Sequence, residues 1–373
     1  MELKKQRKKI IFFVDQFIMG GVEKVAMVLL PKLAQYYDVI LLVQKKVTDS
    51  YFLNFFNEKH IQLISLNDDR PKSFWKKKWR SIVGKRLVKM RCIKILKSAD
   101  LIVDYKSMFA LNFIKSLQIP KIAFFHGSFP LFQDWECVRN VKCYDKLVCL
   151  SESFKKDFIK TYPELQNKIE FIYNPVDVPE VRKKSKNCFV KIKTPYFVAI
   201  QRLQEDKDVA TIIEAFNLFC IKNKDTYLYI VGDGSDREKL TKFAQNNSRI
   251  ILTGQIDDSY HIIKSAEALI LSSTEKIGEG LPTVLIEAQA LGTLAVSSDV
   301  KSGPAEILLN GKAGILFKTH NAKELSKVMD DIISGKIDKK PLILCATENL
   351  KRFDKEIIIP QIINLIEQTL KEK

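Results

Sequence analysis

Glu279 and Glu287 stand eight residues apart, separated by the turn Gly280-Leu281-Pro282 and an apolar helical start at Thr283-Val284. Ahead of them, residues 268–273 (Ala-Leu-Ile-Leu-Ser-Ser) read as a buried parallel strand, so the segment runs strand, loop, helix. A loop at the carboxyl end of a strand is where open α/β sheets bind ligands. The first turn of the following helix presents unpaired backbone N–H groups and a positive dipole end, which suit a phosphate or pyrophosphate. Carboxylates on either side of that anion can hold hydroxyl-rich groups, and a sugar and a ribose joined by pyrophosphate have that layout. Arg202 and Lys207, five apart after the apolar run 196–201, form a second candidate set. Two cations beyond a strand end can neutralise a diphosphate as it leaves. Taken alone, either set also fits a solvated helix face or surface loop.

The elements that must hold these residues alternate along the whole chain. Strand-like apolar runs fall at 10–14, 39–43, 61–66, 101–105, 122–126 and 146–150, with helical stretches such as 22–36 and 108–117 between them. A second set of strands follows at 196–201, 227–231, 250–253, 268–272, 294–297 and 314–317. Helical stretches at 209–220, 236–246, 260–265 and 283–290 connect these, 322–334 makes another, and 351–373 reads as an apolar helix interrupted at Pro360. Such alternation implies parallel sheets covered by helices on both faces. The charged run 177–193, with Pro179, reads as an interdomain linker.

With 373 residues and 46% hydrophobic content, the chain can fill two cores of ordinary size. No apolar run reaches the roughly 18–20 residues that span a bilayer. The basic, then apolar opening imitates a signal peptide, but the apolar run ends at Asp15 and reads as a first strand. Seven cysteines, odd in number and without a C-x-x-C pair, suggest reduced, buried thiols and a cytoplasmic location. The net charge of +17 is concentrated early: residues 1–180 hold 32 Lys/Arg against 19 Asp/Glu, and the remainder 29 against 25. Arg70–Lys97 alone carries twelve cations and no acid, with Trp75 and Trp79 among apolar residues at helical spacing. A basic amphipathic helix of this kind suggests peripheral contact with an anionic membrane surface; packing of its apolar stripe on the sheet is the ordinary alternative. Nucleic acid is not indicated, because helix-turn-helix punctuation, zinc-ligand spacing and RNP-like strands are all missing. The four histidines are too scattered to suggest a metal site, and no cofactor motif is found.

The Glu279/Glu287 pattern resembles the E-x7-E motif of the family-4 (group 1) retaining glycosyltransferases. Residues 202–207 look like that family's G-R-L-x-x-x-K element, with Gln201 where the family usually has Gly. Gly20-Gly21-Val22-Glu23 is similar to its G-G-x-E loop, Phe124-Phe125-His126-Gly127 to its active-site histidine segment, and Asn174-Pro175-Val176-Asp177 to N-G-V-D. Val231-Gly232-Asp233-Gly234, Leu252-Thr253-Gly254 and residues 302–307 (S-G-P-A-E-I) follow in the family's order. The resemblance covers residues 10–345 and implies the GT-B fold: two Rossmann-like, doubly wound parallel-sheet domains facing a cleft, with the last helix crossing back to the first. It divides the chain into an acceptor-binding domain at 1–180, a nucleotide-sugar-binding domain at 190–345 and a helical segment at 346–373. It further implies that Glu287 binds the ribose, that Glu279 binds the donor sugar, and that Arg202 and Lys207 clamp the diphosphate with the backbone of residues 280–284. Gly20 and Gly21 would line the phosphate side, and His126 would lie near the reacting sugar. No residue is assigned as a general base, because in this family the departing phosphate is thought to take the proton.

The expected activity is therefore metal-independent transfer of a hexose or N-acetylhexosamine. The donor would be UDP-linked on family frequency, with GDP open. The acceptor would be a lipopolysaccharide, capsule or lipid-linked oligosaccharide, met at the inner face of the cytoplasmic membrane. The alternatives are a GT-B nucleotide-sugar epimerase or inverting transferase, which lacks the Arg/Lys plus E-x7-E combination, and a non-catalytic adaptor, which would not need it.

Overall fold

The computed structural model describes residues 7–66, 77–106, 111–127, 141–187, 192–275 and 278–372; the side chains of 77–85 and 111–112 also lie outside that description. Trp75 and Lys76, and the side chain of Trp79, are therefore outside the described residues. The chain forms two compact units. Unit 1 comprises residues 1–126, 132–175 and 358–373, and unit 2 comprises 127–131 and 176–357.

Unit 1 is built on seven strands: β1 Lys9–Val14, β2 Asp38–Val43, β3 Gln62–Ser65, β4 Leu101–Asp104, β5 Lys121–Phe125, β6 Lys146–Cys149 and β7 Ile169–Phe171. They lie in the order β3-β2-β1-β4-β5-β6-β7, and every pairing is parallel. Unit 2 has β8 Tyr196–Ile200, β9 Tyr227–Val231, β10 Ile250–Gly254, β11 Ala268–Leu271, β12 Ala295–Ser298 and β13 Ile315–Phe317, in the parallel order β10-β9-β8-β11-β12-β13. Helices cover both faces of such sheets, so the central strands are apolar throughout instead of alternating. Ile10 to Phe13 and Tyr196 to Ala199 are accordingly inaccessible to solvent.

Each sheet reverses its strand order once, between β1 and β4 in unit 1 and between β8 and β11 in unit 2. At such a switch point the loops leaving neighbouring strands diverge to opposite faces, and a crevice opens at the carboxyl ends. Three of the sequence-derived candidate segments, those containing Gly20, Arg202–Lys207 and Glu279, leave β1, β8 and β11 at these points.

Two local expectations need correction. The run 177–193, read as a linker, contains the helix Val178–Lys184, capped by the Asp177 side chain on the Glu180 N–H at 3.2 Å. Pro179 lies in its first turn, where a missing N–H breaks no intrahelical bond. Val178 and Val181 are buried, while Arg182 donates to the Ala290 carbonyl and Lys184 pairs with Asp258, each at 2.9 Å. The helix is thus an integral part of unit 2. The short strand β7 also escaped the sequence reading, because three residues are too few to show a period. The final helix, Lys355–Lys371, brings the chain back to unit 1 from Ile358 onward. There Tyr37 donates to Glu367 at 2.6 Å and Lys146 pairs with Glu372 at 3.2 Å.

Candidate functional site

In unit 2, the loops that follow β8 and β11 meet through polar contacts. Lys207 ends a single 3-10 turn (Glu205–Lys207) after β8, and its side chain is largely enclosed. Its ammonium is 2.5 Å from Glu279 Oε1 and 3.8 Å from Asp206. Glu279 also accepts a hydrogen bond from the Ser273 hydroxyl, which follows β11. The two sequence-derived sets therefore touch: a cation from one loop and a carboxylate from another share one point at the switch. Arg202 is exposed at the start of the same β8 loop, and among the described residues it has no ion-pair partner. Glu287 is 4% exposed, in the second turn of the helix Thr283–Ala290. Gly280, Leu281 and Thr283 are buried, and Pro282 and Val284 are half-buried.

The Glu279–Gly280 loop is held from outside by the segment that begins at Ser302. The Ser302 hydroxyl donates to the Glu279 carbonyl, and the Gly303 N–H donates to the Gly280 carbonyl at 3.1 Å. A methyl group on Gly303 would lie 2.3 Å from that carbonyl oxygen and 2.7 Å from Pro282 Cδ. Only a residue without Cβ allows the two loops to zip. Gly232 does the same for the loop after β8, since a Cβ there would meet the Gln201 carbonyl oxygen at 2.0 Å. A third tether comes from beyond β13, where His320 Nδ1 lies 2.9 Å from Asp208 Oδ2 and Thr319 donates to Glu275 at 3.0 Å.

In unit 1, Gly20 and Gly21 lead from β1 into the helix Gly21–Leu33. The Glu23 carboxylate folds back over Gly20, and a Cβ there would be 2.9 Å from Glu23 Oε2. Glu23 is 4% exposed and is neutralised by Lys106, which follows β4, at 2.7 Å. The Lys106 ammonium also donates to the Gln16 carbonyl at 3.2 Å and lies 3.9 Å from Asp15. Sequence reading passed over Lys106, as a lone cation after a strand carries no motif.

His126 follows β5, with both ring nitrogens screened from solvent and its ring 4.7 Å, edge-on, from that of Tyr105. Burial, and then the neighbouring Lys106 charge, push the imidazole down to about 3, so the folded protein holds it neutral. An unfolded histidine takes up its proton near pH 6.5. Folded stability from this group is therefore present above 6.5 and is lost as pH falls from 6.5 toward 3. The loss is at most about 1.4 kcal/mol per pH unit. Thermal unfolding between pH 7.5 and 5 should show a steeper fall for the wild type than for His126→Asn. Equal slopes would show that the imidazole protonates as readily folded as unfolded.

Among the described residues no three His, Cys, Asp or Glu side chains group as metal ligands would, and no helix is long and apolar enough to cross a membrane.

Two doubly wound parallel sheets, each carrying candidate loops at its switch point, define the GT-B class of α/β protein. The structure of HepE from Anabaena in complex with UDP and glucose superimposes with a TM-score of 0.77 at 17% identity, covering 96% of this chain and 99% of that one. Two family models match end to end, Glycosyltransferase Family 4 over residues 19–180 and Glycosyl transferases group 1 over residues 181–346. The chain belongs to the group 1 (family-4) glycosyltransferases. It is 28% identical over 268 residues to an uncharacterised glycosyltransferase of Methanocaldococcus jannaschii, a match covering 61% of this chain and 65% of the relative. Similarity to the UDP-Gal:alpha-D-GlcNAc-diphosphoundecaprenol alpha-1,3-galactosyltransferase of Escherichia coli is 27% over 259 residues, covering 64% and 66%. The matches thus span just under two thirds of the length of these relatives.

Proposed function

We propose that this chain is a retaining glycosyltransferase that moves a hexose or N-acetylhexosamine from a UDP-linked donor to a lipopolysaccharide, capsule or lipid-linked oligosaccharide acceptor. The observation that carries the reading is the Lys207–Glu279 contact at the β8/β11 switch, with Ser273 on the same carboxylate. A cation and a hydroxyl-binding carboxylate side by side suit the junction between a diphosphate and a sugar. Lys207 and Arg202 stabilise the charge that grows as the diphosphate departs, together with backbone N–H groups of residues 280–284. Glu279 accepts hydrogen bonds from sugar hydroxyls, and Glu287 from the ribose. In the transfer, the bond from the anomeric carbon to the phosphate oxygen breaks and a bond to the acceptor oxygen forms. The acceptor proton passes to the departing phosphate. His126 and the Gly20-Gly21 turn are assigned to the same reaction by their motifs alone; within unit 1, His126 is neutral with both ring nitrogens screened from solvent. The names of the similar proteins support this donor and acceptor chemistry: UDP and glucose for HepE, a galactosyl donor and a diphosphoundecaprenol acceptor for the Escherichia coli relative.

With the charge met by two cations and a helix start, no divalent ion is required. Incubation of labelled UDP-hexoses and UDP-N-acetylhexosamines with a lipid-linked oligosaccharide, in excess EDTA, should give a product with the donor's anomeric configuration. An inverted product would refute retention; loss of transfer on chelation, restored by Mn²⁺, would refute metal independence; and absence of transfer from every donor would refute the function.

The acceptor is met at the cytoplasmic membrane surface through the basic segment Arg70–Lys97. Within its described part, Arg86, Lys89, Arg91, Lys94 and Lys97 are exposed, and so are the apolar Leu87 (59%) and Met90 (67%). Cations near an anionic bilayer contribute about 1 kcal/mol each, and salt screens them. Reversing Arg86, Lys89 and Lys94 to Glu should weaken co-sedimentation with anionic vesicles at low salt by on the order of 100-fold or more. Equal binding by the two proteins would leave this face merely solvated.

A further inference from the structure

We infer that the side chain of Gln201 is a positioning residue that sets where Lys207 delivers its charge; the inference rests on the donor-site reading above. Gln201 stands just beyond β8, and its backbone is fixed on one side: its N–H donates to the Val231 carbonyl at 3.1 Å, and its own carbonyl packs against Gly232. The side chain therefore leaves a fixed base and points across the switch. Its amide nitrogen donates to the Lys207 carbonyl at 2.9 Å and to Ser272 Oγ at 3.1 Å, and its amide oxygen accepts the Ser272 N–H at 3.2 Å. Ser272 Oγ in turn lies 2.7 Å from the Lys207 carbonyl and 3.0 Å from that of Asp208.

The primary amide thus ties the end of β11 to the main chain of Lys207. Both N–H groups and the carbonyl oxygen are used, a set that no other side chain of that length offers except a primary amide. The stem of Lys207 is enclosed and its ammonium sits on Glu279. With the main chain pinned, the four-carbon stem has little freedom left to move that charge. Preorganisation is what gives such a charge its value, because a cation that must reorient during the reaction stabilises it less. The bland alternative is that Gln201 merely holds β8 to β11.

Gln201→Met keeps the length and removes all three hydrogen bonds. It should lower UDP affinity about 10-fold, the loss expected for hydrogen bonding of this order, and leave the affinity for uridine unchanged. In a Lys207→Met background the same change should have little effect on UDP binding, since coupled residues are not additive. Gln201→Gly supplies a second variant should the first not fold. Equal losses for UDP and uridine, or the same loss with and without Lys207, would show that Gln201 only supports the sheet. Failure of the wild type to bind UDP or to transfer any sugar would instead overturn the function on which the inference rests.

Discussion

Turnover by Lys207→Ala should fall on the order of 100-fold or more at saturating donor, because in the proposed donor site this cation meets the diphosphate charge that develops in the transition state. The substitution has a second effect that must be separated from the first. Lys207 is largely enclosed against Glu279 and Asp206, and removing one member of a buried pair leaves uncompensated charge that destabilises the fold. Arg202→Ala offers the cleaner arm. Arg202 is exposed and, among the described residues, has no ion-pair partner, so its loss should reduce kcat with little change in Tm. Single-turnover rates with labelled donor, read beside thermal unfolding, decide the matter. Near-normal rates in both variants would remove these cations from the donor site.

Gly303→Ala should be nearly as damaging, although this residue carries no chemistry. The added methyl would meet the Gly280 carbonyl oxygen at 2.3 Å and the Pro282 ring at 2.7 Å. Neither neighbour is the free end of a flexible side chain, so the Ser302 segment and the Glu279–Gly280 loop must separate. Overpacking of this kind costs about 1–3 kcal/mol. The functional loss should exceed what that figure suggests, since Ser302 and Gly303 both hold carbonyls of the loop that carries Glu279. Donor affinity measured by titration should fall together with Tm, whereas Lys312→Ala, a change at an exposed turn nine residues further on, should alter neither. A Gly303→Ala protein with wild-type donor affinity would mean that the loop keeps its shape without the zipper.

The strands were legible in sequence where burial on both faces makes them continuous apolar runs, as at Ile10–Val14 and Ala268–Leu271. They were illegible where they are short: β7 is three residues, with a glutamate in the middle. The helix Val178–Lys184 was hidden by composition, since Arg182, Lys183 and Lys184 gave it the look of a solvated linker while Val178 and Val181 do the packing. The candidate site divides along the same line. Residue types in order, such as Arg202, Lys207, Glu279 and Glu287, could be read because each pair lies within one short stretch of chain, a loop for the first and a loop with its following helix for the second. The Lys207–Glu279 contact joins residues 72 apart, and the Lys106–Glu23 contact joins residues 83 apart. No local period encodes such pairs; only the strand order brings them together. Gln201 departs from the family pattern in the sequence itself, but its three side-chain hydrogen bonds, to Lys207 and Ser272, are visible only with the fold.

The division of the chain has a consequence for its birth on the ribosome. Unit 1 needs residues 358–373, yet these are made after all of the main run of unit 2, residues 176–357. At about 5–20 residues per second, synthesis of that run takes on the order of 10–40 seconds. Throughout that interval Tyr37 and Lys146 wait for Glu367 and Glu372, and the surface that Ile362, Leu365 and Ile366 will cover lies open. The nascent first unit is thus an incomplete body with an exposed apolar seam, suited to chaperone capture, while the second unit can complete itself behind it. Stopping the chain short of Ile358 should therefore harm the part made first and spare the part made last.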